Sequence, residues 1–335
     1  MKLKGLAILA LVFIALGAFS VDASASACRN PGSVLLFPYY NTQGAGLSVM
    51  TITNTGNDDV WLRLVWVAED DCIPRDLWFE LTKKDQLTFL DQAMFFGNTR
   101  GFLYVYAVED EYSIAEIDYD CLIGQELVLF DNPNGQGNPI TAWGVNAVAF
   151  QALAVNADGN LHLDGVEFSL APKTLYFPRF MGQPEVGVPG YFDSLLILIN
   201  LTGGTYFEAT ANALVYNDNE KAFSDFVKFP CWHIMPLNEF SLATRNNFLL
   251  NTDHDEDEPI GLTQFEVETG WFTLTGQEAT NIFFTHTIQN PSVYGVLIET
   301  LGAETWAAAD LPWQVEDAAY NNGMLWSTKV DGGDN

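Results

Sequence analysis

Ser48-Val49-Met50-Thr51-Ile52-Thr53-Asn54, then Thr55-Gly56, alternates apolar and small polar side chains and stops at a turn. Period-two alternation is the pattern of a strand with one buried face. The outline returns as Ser194-Leu195-Leu196-Ile197-Leu198-Ile199-Asn200, then Leu201-Thr202-Gly203. Other landmarks recur around both stretches in the same order. Leu36-Phe37-Pro38-Tyr39-Tyr40 precedes the first, and Tyr176-Phe177-Pro178-Arg179-Phe180 precedes the second. An acidic turn follows each, Glu69-Asp70-Asp71 and Asn217-Asp218-Asn219-Glu220, with Cys72 and Cys231 after them. Thr88-Phe89-Leu90 aligns with Phe240-Ser241-Leu242, and Gly101-Phe102-Leu103-Tyr104-Val105 with Gly270-Trp271-Phe272-Thr273-Leu274. The offsets are not constant, starting near 140 residues and reaching 169 at the last landmark, so the second copy carries insertions.

Between the landmarks run short segments rich in Val, Ile, Thr, Phe, Tyr and Trp, broken by Gly, Asn, Asp and Pro. That is strand-and-turn composition. The expected fold is all-β: two tandem antiparallel β-sandwich modules of immunoglobulin-like type, produced by internal duplication. Residues 28–140 form the first module, 141–172 a linking segment, and 173–330 the second. Val145, Val148, Ala149, Ala152 and Leu153 fit one helical face or a further strand. Residues 303–309 suit a helical turn. Trp66 and Trp271 are expected in the core, as most aromatic side chains in a sandwich are.

The N-terminus directs the chain out of the cytoplasm. Lys2 and Lys4 precede an apolar run over residues 6–19, and Ala23-Ser24-Ala25-Ser26-Ala27 supplies small residues for cleavage. Residues 1–27 therefore read as a signal peptide. The run is shorter than the roughly 20 residues of a spanning helix. No later stretch is long and apolar enough, so no transmembrane segment is expected in the mature chain. Localisation is then secreted, periplasmic or at the cell surface. Cleavage before Cys28 raises the alternative of a lipoprotein anchored there.

A net charge of −29 repels nucleic acid and anionic lipid, whose binding needs Lys and Arg. With 48% hydrophobic and 13% aromatic residues, the chain can bury a core, and disorder is not indicated. Cys28, Cys72, Cys121 and Cys231 are disulfide candidates in an oxidising compartment, with connectivity open.

Asp253-His254-Asp255-Glu256-Asp257-Glu258 is the sharpest local feature. Asp253, Asp255, Asp257 and Glu258 could turn oxygens toward one calcium ion. The spacing is not that of an EF-hand, and an acidic run is more often a solvated loop. The acidic turns with Asp70, Asp71, Asp218 and Glu220 are weaker candidates, because turns favour Asp and Asn in any case. His162, His233, His254 and His286 show no metal-ligand spacing, and no nucleophile motif is present. Asn200-Leu201-Thr202 is a glycosylation sequon. The nine Trp and twelve Tyr invite stacking on sugar rings.

Gly32-Ser33-Val34-Leu35-Leu36-Phe37-Pro38, residues 47–55, Leu163-Asp164-Gly165-Val166-Glu167 and Pro178-Arg179-Phe180-Met181-Gly182-Gln183 resemble exported bacterial β-rich proteins with no assigned activity. That resemblance implies secretion and a β-rich build, and brings no catalytic residue or cofactor. The expected function is a non-enzymatic binding or structural protein, with calcium as a candidate support. Its partner would be an extracellular polymer, another protein or further copies of itself. The alternative from another class is a secreted polysaccharide hydrolase using a carboxylate pair.

Overall fold

The computed structural model describes residues 30–43, 46–94, 97, 99–129, 142–181, 192–202, 207–217, 221–244, 269–281, 283, 286–301, 305–309, 311, 313–314 and 323–326. The described chain is mostly antiparallel strand, with two helices of a single turn. In the first half the strands are β1 (Val34–Asn41), β2 (Leu47–Asn54), β3 (Val60–Ala68), β4 (Pro74–Leu81), β5 (Gln86–Leu90), β6 (Arg100–Val108), β7 (Leu122–Leu129), β8 (Ala142–Asn146) and β9 (Val148–Phe150). Helix α1 (Asp91–Met94) follows β5. They form two sheets, β4-β3-β6-β1-β9 and β5-β2-β7-β8. The strands of this half run on to Phe150, past residue 140, and the segment around Val145 and Val148 is strand rather than helix.

A short strand, β10 (Asn160–His162), lies between the halves. The second half then comprises β11 (Thr174–Met181), β12 (Phe192–Asn200), β13 (Phe207–Asn217), β14 (Ala222–Phe229), β15 (Trp232–Pro236), helix α2 (Leu237–Phe240), β16 (Thr269–Asn281), β17 (Thr287–Gln289), β18 (Val293–Leu301), β19 (Thr305–Ala309) and β20 (Trp313–Gln314). Strand β21 (Met324–Trp326) returns to pair with β10. Residues 305–309 pair with β18 as a strand, so the expected helical turn there does not form. The sheets of this half are β14-β13-β16-β11-β20, with β17 attached to β16, and β15-β12-β18-β19. Apart from β17, the strand order of the two halves agrees position by position.

The registers agree in detail. Both first strands bulge at the Phe-Pro step, between Phe37 and Tyr40 and between Phe177 and Phe180. Proline has no N–H for a ladder, and a bulge is where a strand tolerates it. Glycine lies opposite each bulge. A Cβ on Gly101 would sit 2.0 Å from the Val67 carbonyl oxygen, and one on Gly270 2.4 Å from that of Tyr216. Asn54 and Asn200 end β2 and β12 alike, each side-chain oxygen accepting the N–H two residues on.

Three expected correspondences fail. The order is not the immunoglobulin order, in which the first strand lies beside the second. Here β1 lies beside β6, across the sandwich from β2. Leu90 and Pro236 pair with the matched residues Val49 and Leu195, so Leu90 corresponds to Pro236 and not to Leu242. Cys72 follows β3 whereas Cys231 follows β14, one strand later, and the two are bonded to each other across 159 residues.

Each pair of sheets has its own interior. Leu35, Phe37, Met50, Ile52, Leu64 and Val105 fill the first. Leu175, Phe177, Leu196, Leu198, Ala213 and Phe272 fill the second. A third core joins the halves. Val34, Leu36, Phe102, Tyr104 and Tyr106 of the first half meet Leu195, Ile197, Ile199, Trp232 and Val296 of the second, with Leu161, Leu163 and Phe168 of the linking segment. The central strands β1, β3 and β6 of the joined sheet are buried on both faces. This explains why β1, β3 and β6 read as continuous apolar runs while β2, β13 and β16 alternate. The Trp232 indole N–H donates to the Pro38 carbonyl across this seam at 2.9 Å. Each fully buried aromatic side chain there contributes about 2–3 kcal/mol from area removed from water.

Different sheets are used in the two halves. The first offers β4-β3-β6-β1-β9, and the second offers β15-β12-β18-β19. The packing is therefore head-to-tail. Among the described residues, Ile123 and Leu127 on the outer face of β5-β2-β7-β8, and Phe226 and Trp271 on that of β14-β13-β16-β11-β20, are exposed.

Candidate binding face

Strand β16 reads Trp271-Phe272-Thr273-Leu274-Thr275. Phe272 and Leu274 point into the second core, which turns Trp271, Thr273 and Thr275 outward. Pairing places Tyr216 beside Trp271, Leu214 beside Thr273 and Asn212 beside Thr275. One strand further out, Ser224 lies beside Leu214 and Phe226 beside Asn212. Tyr216 and Trp271 stack with centroids 4.3 Å apart and planes 7° apart. Trp271 is 40% exposed and Phe226 64%. This is a flat face of aromatic rings, threonines and an asparagine, with Lys228 at its margin.

The expectation of a core position for Trp271 is thus corrected, while Trp66 is buried as expected. The signal was present in the sequence. Trp271 shares its parity with two threonines and not with Phe272 and Leu274. The matched row of the first half, Phe102, Tyr104 and Tyr106, is buried in the seam between halves.

The remaining sequence candidates fall elsewhere. Asp253, Asp255, Asp257 and Glu258 lie outside the described residues, as do Asp218, Glu220 and His254. The acidic turn of the first half is neutralised from within. Arg100 donates to Glu69 at 2.7 Å, Arg75 pairs with Asp71, and the Thr99 hydroxyl donates to Asp70 at 3.3 Å. Among the described residues no group of three or more His, Cys, Asp or Glu is arranged to hold a metal ion. His162 lies 3.9 Å from Asp158, and His233 is held below the ordinary histidine range by burial. Cys121 is a free thiol, and Cys28 lies outside the described residues. Asn200 of the sequon is 6% exposed, with its amide donating to the Phe207 carbonyl, so it is no surface acceptor. Among the described residues no helix is long and apolar enough to cross a membrane.

Two ionisable clusters escaped the sequence reading. Asp91 is fully buried, accepts from the Trp66 indole at 3.1 Å, and is pushed up to about 7 by desolvation. Glu116, from the loop between β6 and β7, and Glu167, from the linking segment, are 1% and 3% exposed, and the first disfavours charge on the second. Neither leaves a local motif, because the partners come from distant strands and loops.

No protein-family model matches the sequence, and no curated protein matches it. Among solved structures, the crystal structure of Thermotoga maritima 1070 is similar over 36% of this chain and 96% of its own, at 14% identity and a TM-score of 0.27. The cryo-EM structure of Broad Bean Stain Virus is similar over 90% of this chain and 98% of its own, at 10% identity and a TM-score of 0.17.

Proposed function

We propose that the protein is an exported, non-enzymatic binding protein whose outer β14-β13-β16-β11 face takes a neutral polysaccharide. The stack of exposed Trp271 on half-buried Tyr216 carries this reading. A pyranose presents a flat C–H face that can continue an aromatic stack, while hydroxyl and amide groups beside it fix orientation. Thr273, Thr275 and Asn212 stand in the adjoining rows. A net charge of −29 argues against a polyanionic partner. Export is supported by the signal-peptide pattern of residues 1–27 and by the Cys72–Cys231 disulfide, since such bonds persist in oxidising compartments. The shared strand order and the matched Pro–Gly bulges support descent of both halves from one duplicated sandwich.

The test is a binding screen of the mature protein against soluble neutral glucans and xylan and insoluble cellulose and chitin. Binding to one of these should weaken at least about tenfold in Trp271→Ala and Tyr216→Ala, each with an unchanged melting temperature. No binding to any of them, or full binding by Trp271→Ala, would overturn the proposal.

A further inference from the structure

Glu116 stands in the loop between β6 and β7, bridged to Val108 at the end of β6. Its carboxylate receives two successive backbone N–H groups from the linking segment, Asp158 at 3.1 Å and Gly159 at 2.8 Å. Glu167 comes from the far end of the same segment, where its carbonyl accepts the Leu153 N–H at 2.8 Å. The Glu116 carboxylate is near enough to act on the Glu167 carboxyl electrostatically and to disfavour its charge. Both are almost fully buried, yet Oε1 of Glu167 has no protein donor. Two neighbouring buried carboxylates repel, and a buried acceptor without a donor is costly. One proton between them removes both penalties.

We propose that Glu116 and Glu167 hold one proton between them, and that this proton latches the linking segment onto the first sandwich. Loss of the proton to solvent leaves two buried negative charges. Asp158 adds a third nearby, His162 lies 3.9 Å from Asp158, and Asp164 holds the Glu167 N–H at 3.1 Å. Asp120, which accepts the Ala152 N–H at 2.9 Å, flanks the same segment. No lysine or arginine is among these groups. Desolvation, then Glu116 and Asp158, push Glu167 up to about 8, so the latch would open under mildly alkaline conditions. The segment it releases covers part of the seam between the halves through Leu161, Leu163 and Phe168.

Hydrogen exchange at the Asp158 and Gly159 amides, corrected for intrinsic base catalysis, reads the latch directly. Protection should hold up to about pH 8 and then fall about tenfold per pH unit, as one linked proton requires. Glu167→Gln carries its own N–H donor and should stay protected throughout. Wild-type protection that is unchanged to about pH 9.5, or the same fall in Glu167→Gln, would overturn the proposal. A second reading needs no variant: the side-chain carboxyl carbon of Glu167 should titrate above pH 7 in carbon-13 spectra. Titration of the Glu167 carboxyl in the ordinary carboxylate range would overturn it. So would restoration of wild-type protection at alkaline pH by millimolar calcium chloride, which would make the gap a cation site.

Discussion

Where the second half buries Leu237, the first half buries Asp91. Both residues open the single helical turn after a matched strand, β15 or β5. The same exchange recurs around them. Tyr40 and Trp66 of the first half stand where the second has Phe180 and Val215, and Glu126 stands where it has Leu297. One strand order is thus filled once with buried polar groups and once with hydrocarbon. The fold does not require the polar set, since the second half closes without it. The difference teaches that the first interior carries an ionisation the architecture did not impose.

The largest effect should come from forcing the first solution onto the second half. Leu237→Asp places a carboxyl among the apolar side chains of the second core and should cost about 4–5 kcal/mol, read as a lost or sharply lowered thermal transition. A loss below about 1 kcal/mol would mean that this end of the second core is wet.

Next comes the contrast between two tryptophans. Trp66→Ala should cost about 3–5 kcal/mol through cavity formation and an abandoned partner for Asp91. Trp271→Ala should stay within about 1 kcal/mol, because its ring is partly in water. Equal losses in denaturant titrations would erase the distinction between core and outer face.

The smallest effect sharpens the comparison with pH. Asp91 holds its proton up to about 7 when folded, against an ordinary 3.8 for an aspartate. Between those limits the unfolded chain releases a proton that the folded chain keeps, so stability falls as pH rises and levels off above 7. Asp91→Leu removes that loss. It should gain about 1–3 kcal/mol at pH 8 and little or nothing near pH 3. A gain of equal size at both values would assign the effect to packing rather than ionisation.

Much of the strand plan could be read before any coordinates. Phe37 and Phe177, Gly101 and Gly270, and Asn54 and Asn200 occupy matched places because bulges, close approaches and strand ends demand particular residue types. Alternation assigns side chains to faces but does not choose which strand lies alongside, so β1 beside β6 was beyond its reach. The bond from Cys72 to Cys231 was equally hidden, since it depends on how two sandwiches dock. Trp271 is a different case. Its face followed from the threonines two and four residues on, and a general expectation about aromatic side chains outweighed that local pattern.

The Cys72–Cys231 bond gives the molecule one more property. It ties residue 72 to residue 231, so every peptide bond between them lies inside a covalent ring. A protease cutting once within that ring sheds no fragment. The nicked chain keeps its full mass on a non-reducing gel and parts in two only when a thiol is added.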